Sequence, residues 1–183
     1  MDHYLDIQIN PPRGQHSSRG LSRIYTQLHL QLVQSASTHL GVSFPRANRD
    51  LGNLLRLHGE KKHLQVLLMS DWCKQTSEIV KILPIRPIPE TVHHRSISRV
   101  RSNMSRSKLS RLQTRGSISK EEVLKYKAKM CAESLDQPYV ELLSGSNGHR
   151  YRRYLQFGPV QEKPSAGGFD VFGLSETATV PWF

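Results

Sequence analysis

Over the first 83 residues the spacing of apolar side chains switches period several times, and the order of those switches limits the folds open to the chain. Residues 3–10, HYLDIQIN, alternate, with Leu5, Ile7 and Ile9 opposed to Asp6 and Gln8. A period of two predicts a strand with one buried face. The run PPRGQHSSRG then breaks the chain with Pro, Gly and Ser. From 20 to 38 the period becomes helical: Leu21, Ile24, Tyr25, Leu28 and Leu32 recur at spacings of three and four and make one apolar stripe. His29 falls at the border of that stripe, four residues after Tyr25. GVSFP (41–45) reads as a short strand stopped by Pro45, and LLRLH (54–58) as another ended by Gly59. The charged turn between them predicts a hairpin. Leu64, Leu67 and Leu68 predict a helix over 61–71, and Glu78 to Leu83 a further strand. Strand–helix–strand–strand–helix–strand is the ferredoxin-like order.

Pro84, Pro87 and Pro89 then mark a domain boundary. The expected class is α+β: a ferredoxin-like domain over 1–90, followed by an α/β domain over 91–183 with an arginine-rich helix. The second part opens on HHRSISRVRSNMSRSKLSRLQTR (93–115), which holds seven Arg or Lys and no acid. Such a block suits a polyanion, as a docked element or as a solvated tail. Arg99 and Arg101 flank Val100 and face one side if the chain is extended. Lys108, Arg111 and Arg115 share one face of a helix, with Leu109 and Leu112 on the adjoining face. Gly116 is placed for a C-cap. Ser119 and Glu122 form a capping box that opens a helix to about Ala132. Strands are expected at Val140–Leu143, Arg150–Phe157 and Phe169–Phe172, with a tight Gly/Asn turn over 144–150. The apolar end, Val180 to Phe183, either packs inside or meets a partner.

Charge narrows the function. Lys and Arg exceed Asp and Glu by eleven, so nucleic acid is the first partner to consider and an anionic membrane surface the second. Against a membrane, no stretch is long and apolar enough to span one. The N-terminus, MDHYLDIQIN, has acids where a signal peptide needs bases. A cytoplasmic location is expected. Cys73 and Cys131 lie far apart and are expected to be free thiols. Neither CxxC nor HxxxH occurs, so nothing requires a metal or a cofactor.

A nuclease built on metals wants several converging carboxylates, and the fifteen acids here are mostly isolated. The metal-free route uses the 2′-OH of RNA as an internal nucleophile. It needs a base, usually His, and donors for the phosphate. DNA lacks that hydroxyl, so the route is restricted to RNA. Spacing alone does not choose among nine histidines.

Five segments together narrow the choice: MDHYLDI at the start, GVSFP at 41–45, the SRVR-led arginine block, SGSNGHRYR at 144–152, and GGFDVFGLS with the terminal VPWF. In order and spacing the chain resembles, from first residue to last, the CRISPR repeat-RNA processing endoribonucleases of type I-F systems. The resemblance implies an enzyme that cuts precursor CRISPR RNA at the 3′ foot of the repeat stem-loop, without metal or cofactor. The product carries a 2′,3′-cyclic phosphate and stays bound. Other subunits of a type I-F crRNA-guided surveillance complex are implied as partners. His29 matches the histidine that deprotonates the 2′-OH. Ser144 matches the serine that holds the ribose for in-line attack, and Ser146 a second serine nearby. Tyr151 matches an aromatic under the last base pair. Arg99 matches the reader of the terminal guanine, and Arg111 and Arg115 match helix arginines in the major groove. Lys108 belongs to the same basic surface.

Two positions depart from the pattern. Phe172 stands where the family has tyrosine, so it can pack at the site but has no hydroxyl. Arg101 stands where the family has glutamine, and either reads a different base or binds phosphate. The loss of that hydroxyl motivates a rival reading, a weakly catalytic or non-catalytic subunit that binds the crRNA hairpin. A third class, a basic structural protein, would bind any duplex RNA.

Overall fold

A computed structural model of the protein describes residues 1–100, 106–132, 137–143 and 148–183, with backbone alone at 106, 107 and 130–132. The first six elements are β1 (His3–Ile9), α1 (Ser17–Gln34), β2 (Gly41–Ser43), β3 (Leu54–Gly59), α2 (Lys61–Met69) and β4 (Val80–Ile82). Their strands pair antiparallel in the order β2-β3-β1-β4. That order, with one helix after β1 and one after β3, is ferredoxin-like, as the periodicities predict. β2 and β3 pair as expected, Gly41 opposite His58 and Ser43 opposite Arg56.

The core follows the predicted faces. Leu5, Ile7 and Ile9 of β1 are fully buried, together with Leu21, Ile24, Tyr25, Leu28 and Leu32 of α1 and Leu64 and Leu67 of α2. Each such side chain contributes about 1.5–3 kcal/mol. α1 starts three residues early, where His16 Nδ1 accepts the Ser18 amide, and ends four early. The end is set by Ser35, whose hydroxyl and amide both donate to the Gln31 carbonyl, and by Ala36 in the left-handed region at φ +48°. A short strand β5 (Arg86–Pro87) lies within the proline cluster and pairs with β1.

Two further sheets complete this unit. β6 (His93–Arg95) pairs with β10 (Val180–Trp182), so the apolar end of the chain is a paired strand, with Val180 and Pro181 buried, Trp182 half-buried and Phe183 exposed. β7 (Ile97–Arg99), β8 (Tyr139–Leu143) and β9 (Arg150–Phe157) form a sheet in the order β7-β9-β8. Val140 stands opposite Arg153, and Leu142 opposite Tyr151. Cross-strand partners share a face, and buried Val140, Leu142 and Leu155 turn that face towards α1. The Ser22 hydroxyl of α1 accepts the Glu141 amide at 3.1 Å.

The expected strand at Phe169–Phe172 is not a strand. Asp170 Oδ1 accepts the amides of Phe172 (2.8 Å) and Leu174 (2.9 Å), and Gly173 takes φ +69°. The Asp side chain offers the backbone a local turn in place of a ladder. A Cβ on Gly173 would also lie 2.6 Å from Val42 Cγ1.

Met1–Arg99 and Gln137–Phe183 together form one compact unit, and Val100–Asp136 a second. The second unit holds α3 (Arg106–Thr114) and α4 (Lys120–Ala132). Leu109 is buried and Leu112 half-buried, on the face predicted to dock. Gly116 closes α3 at φ +65°, its amide on Gln113 and that of Ser117 on Leu112. The capping box is formed in both directions. Ser119 N–H donates to Glu122 (2.8 Å), Glu122 N–H donates to the Ser119 hydroxyl (3.2 Å), and the Ser119 amide holds the Glu122 carboxyl below its usual range.

Candidate active site

Tyr25 and His29 are one helical turn apart on α1, so their side chains meet the same neighbour. That neighbour is the 170–174 turn. The Tyr25 hydroxyl donates to the Phe172 carbonyl at 2.7 Å, and His29 Nδ1 lies 2.9 Å from the Val171 carbonyl. Two consecutive carbonyls of the turn are thus held by α1. The Tyr25 ring is fully buried. Burial first, and then the charge on Asp170, push its hydroxyl well above the usual tyrosine range, so it remains a donor.

A carbonyl can only accept, so the contact requires the His29 proton on Nδ1. In the neutral ring the lone pair then belongs to Nε2. The ring itself lies flat on Phe172, centroids 3.5 Å apart and planes 10° from parallel. The Arg153 guanidinium carbon lies 3.5 Å from the same Phe172 centroid. Two groups that close cannot share one face, so Phe172 is sandwiched between His29 and Arg153. Arg153 is 8% exposed, and its Nε is buried without a partner. Among the described residues its guanidinium makes no ion pair. His29 itself is half-buried.

The structure therefore brings together two of the residues singled out in the sequence, His29 and Phe172. Tyr151 stands two residues before Arg153 on the same face of β9 and is 38% exposed. Arg99 ends β7 opposite Leu155 and is exposed. Lys108, Arg111 and Arg115 belong to the second unit, the first two on α3 and Arg115 in the turn after it. Arg101, Ser144 and Ser146 lie outside the described residues. Among the described residues no group of three or more His, Cys, Asp or Glu is placed to hold a metal ion, and no helix is long and apolar enough to cross a membrane.

Sequence reasoning missed Tyr25 as a donor, Asp170 as the turn former, and Arg153. Two of these left a signal. D-x-x-G at 170–173 is a turn signature. In RYRRYLQF the residues 151, 153, 155 and 157 share a face, and an arginine between a tyrosine and a leucine on a buried face needs an explanation.

A family model described as CRISPR-associated protein (Cas_Csy4) matches residues 4–183. A CRISPR-associated endonuclease Cas6/Csy4 of Pseudomonas aeruginosa (strain UCBPP-PA14) is 34% identical, with both chains covered over their full lengths. The protein of the same name from Escherichia coli (strain UTI89 / UPEC) is 32% identical, again over both full lengths. Among solved structures, a CRISPR endoribonuclease Cse3 bound to 19 nt RNA aligns over 99% of this chain and 100% of that one, at 13% identity and a TM-score of 0.39. Thermus thermophilus Cse3 bound to an RNA representing a pre-cleavage complex aligns at 11% identity and 0.38, with 99% of this chain and 100% of that one covered. Those scores are too low to carry a fold assignment, which rests on the strand order.

Proposed function

This chain belongs to the CRISPR-associated Cas_Csy4 family, and from that membership and the His29 site we propose that it is an endoribonuclease that processes precursor CRISPR RNA. The cut falls at the 3′ foot of the repeat stem-loop. Nε2 of His29 takes the proton of the 2′-OH; the 2′-oxygen attacks the adjacent phosphorus as the bond to the 5′-oxygen of the next nucleotide breaks; that 5′-oxygen takes a proton from water. The products are a 2′,3′-cyclic phosphate and a 5′-hydroxyl. The protein supplies a base and an orientation, and the nucleophile is already tethered to its target.

One observation carries the reading. The Val171 carbonyl fixes the His29 proton on Nδ1 and so presents Nε2 as the acceptor. The flat contact with Phe172 restrains the ring in a second direction. In this reading Phe172 fixes the base by stacking, which needs no hydroxyl. Ser144 orients the ribose, with Ser146 beside it. Tyr151 closes the end of the stem. Arg99 and Arg101 meet the lowest base pairs, and Lys108, Arg111 and Arg115 hold phosphates. The work divides near residue 90, with the base in the first part and the RNA grip in the second. The crRNA remains bound and joins the other subunits of a type I-F surveillance complex in the cytoplasm.

The test is cleavage of the cognate repeat RNA in EDTA by wild type and His29→Ala. The expected result is a cut in EDTA that His29→Ala abolishes while binding persists. A 2′-deoxy nucleotide before the cut leaves the RNA bound and whole. Activity that vanishes in EDTA and returns with magnesium overturns the metal-free mechanism. Equal, negligible rates for both proteins with tight binding turn the conclusion to the hairpin-binding subunit.

A further inference from the structure

A groove of about 580 Å³ runs beside the first half of α1, between it and β8. This falls within the range of roughly 300–1,000 Å³ of sites that hold small ligands. Arg19, Ser22 and Thr26 line it from α1, and His29 continues the same stripe at spacings of three, four and three. Along the helix axis the stripe covers about 15 Å from Arg19 to His29. The groove therefore ends one turn short of the proposed base.

Its lining is basic. Arg19, Arg23, Arg49 and Arg150 face it, against Asp50 and Glu141. The two acids are engaged: Asp50 caps the Gly52 amide at 2.8 Å and lies 3.7 Å from His16, and Glu141 accepts Arg150 at 3.3 Å. Arg23 is tied to the Gln75 carbonyl and to Glu78. The side chains of Arg19 and Arg49 have no hydrogen-bond or ion-pair partner among the described residues, and both residues are exposed. The groove also holds an aromatic surface, Tyr139, which is 40% exposed and backed by Tyr154 and the Arg152 guanidinium. Unpaired cations beside an exposed ring are the composition that tracks single-stranded nucleic acid, cations for phosphates and the ring for a base.

Resting on the reading of the chain as a repeat-RNA endoribonuclease, we propose that this groove binds the single strand of RNA that continues 3′ of the cut. Arg19 and Arg49 hold its phosphates and Tyr139 stacks a base. The contact would draw uncut RNA into the site and be lost when the strand is released.

The test uses three RNAs, each with a 2′-deoxy nucleotide before the cut: the stem-loop alone, the stem-loop with a 3′ extension of about eight nucleotides, and one with an equal 5′ extension. Binding is read by fluorescence anisotropy over a salt series. For wild type, the 3′ extension should tighten binding about tenfold at low salt and steepen the salt slope by about 1.4, the value for two phosphate contacts on a single strand. Arg19→Ala with Arg49→Ala should remove that gain and leave affinity for the bare stem-loop unchanged. Tyr139→Ala should remove part of it. No gain from the 3′ extension, a gain only from the 5′ extension, or a gain untouched by the double variant overturns the inference. Failure to bind the bare stem-loop is a different result, and counts against the endoribonuclease reading instead.

Discussion

Tyr25→Phe deletes one oxygen and keeps the ring, and so isolates the tie between α1 and the turn beneath His29. The lost hydroxyl donates to the Phe172 carbonyl at 2.7 Å from a fully buried side chain. Phe172 is 8% exposed, so water has little access to replace the donor. Leaving a buried acceptor unsatisfied costs about 1–3 kcal/mol. For a chain of this size each kcal/mol lowers the melting midpoint by roughly 2–4 °C, so a fall of roughly 2–12 °C is expected. The second consequence is kinetic. The turn carries both the Val171 carbonyl and the Phe172 ring that hold His29. If it loosens, the single-turnover cleavage rate falls on the order of tenfold at a temperature where both proteins are folded. Leu64→Ala on α2 is the control: it removes a fully buried side chain away from the turn, at about 2–5 kcal/mol. Its rate should be near wild type. An unchanged melting midpoint for Tyr25→Phe refutes the hydrogen-bond argument. An equal slowing by Leu64→Ala refutes the claim that the turn, and not general stability, sets the rate.

Much of the fold was legible because the N-terminal half obeys one rule per element. HYLDIQIN alternates, the Leu21–Leu32 stripe repeats at helical spacing, and Pro45 and Gly59 stop the strands where they should. These are local properties. GGFDVFGLS defeated the same reasoning: Phe169, Val171 and Phe172 look like strand residues, and one Asp side chain turned them into a tight loop. The tail VPWF reads as an unpaired end because its partner, His93–Arg95, is distant in sequence. The candidate site was proposed from resemblance and not from any local pattern. Nothing local marks His29 over eight other histidines, because what singles it out is a carbonyl 142 residues away. Arg153 is the mirror case, since its place on a buried face follows from the alternation of β9, but its contact with Phe172 depends on tertiary packing.

The remaining predictions concern buried charge. His58 is wholly buried, its Nε2 2.7 Å from the Ser43 hydroxyl, and burial and then the neighbouring Arg56 bring its imidazole down to about 3 from 6.5. The unfolded chain therefore binds a proton that the folded one refuses between those values. This contribution is complete above about pH 6.5 and is lost at about 1.4 kcal/mol per pH unit on acidification towards about 3. Melts at about pH 7 and about pH 5 should differ by that slope, and His58→Gln should flatten it; equal slopes in both proteins refute the assignment. Asp6→Ala strips Arg56 of its bidentate partner, held at 2.6 and 2.9 Å with both residues 8% exposed. A loss of about 3–5 kcal/mol in denaturant unfolding is expected, and under about 1 kcal/mol would mean that the Phe183 carbonyl, 3.0 Å away, and the rings of Tyr4 and Phe183 hold Arg56 without Asp6. Arg153→Met should behave in the opposite way. Arg153 is as buried as Arg56, but among the described residues it has only the face of Phe172 to set against its desolvation. That face contributes about 0.5–2 kcal/mol, while desolvating a cation costs several. A methionine of similar volume should leave the melting midpoint of the free protein unchanged, or raise it by a few degrees. Repeat RNA should then stabilise wild type more than the variant, because a bound phosphate backbone gives the buried cation the anion it lacks. A variant that melts well below wild type without RNA would make Arg153 a structural strut. Equal stabilisation of both proteins by RNA would separate its charge from the substrate.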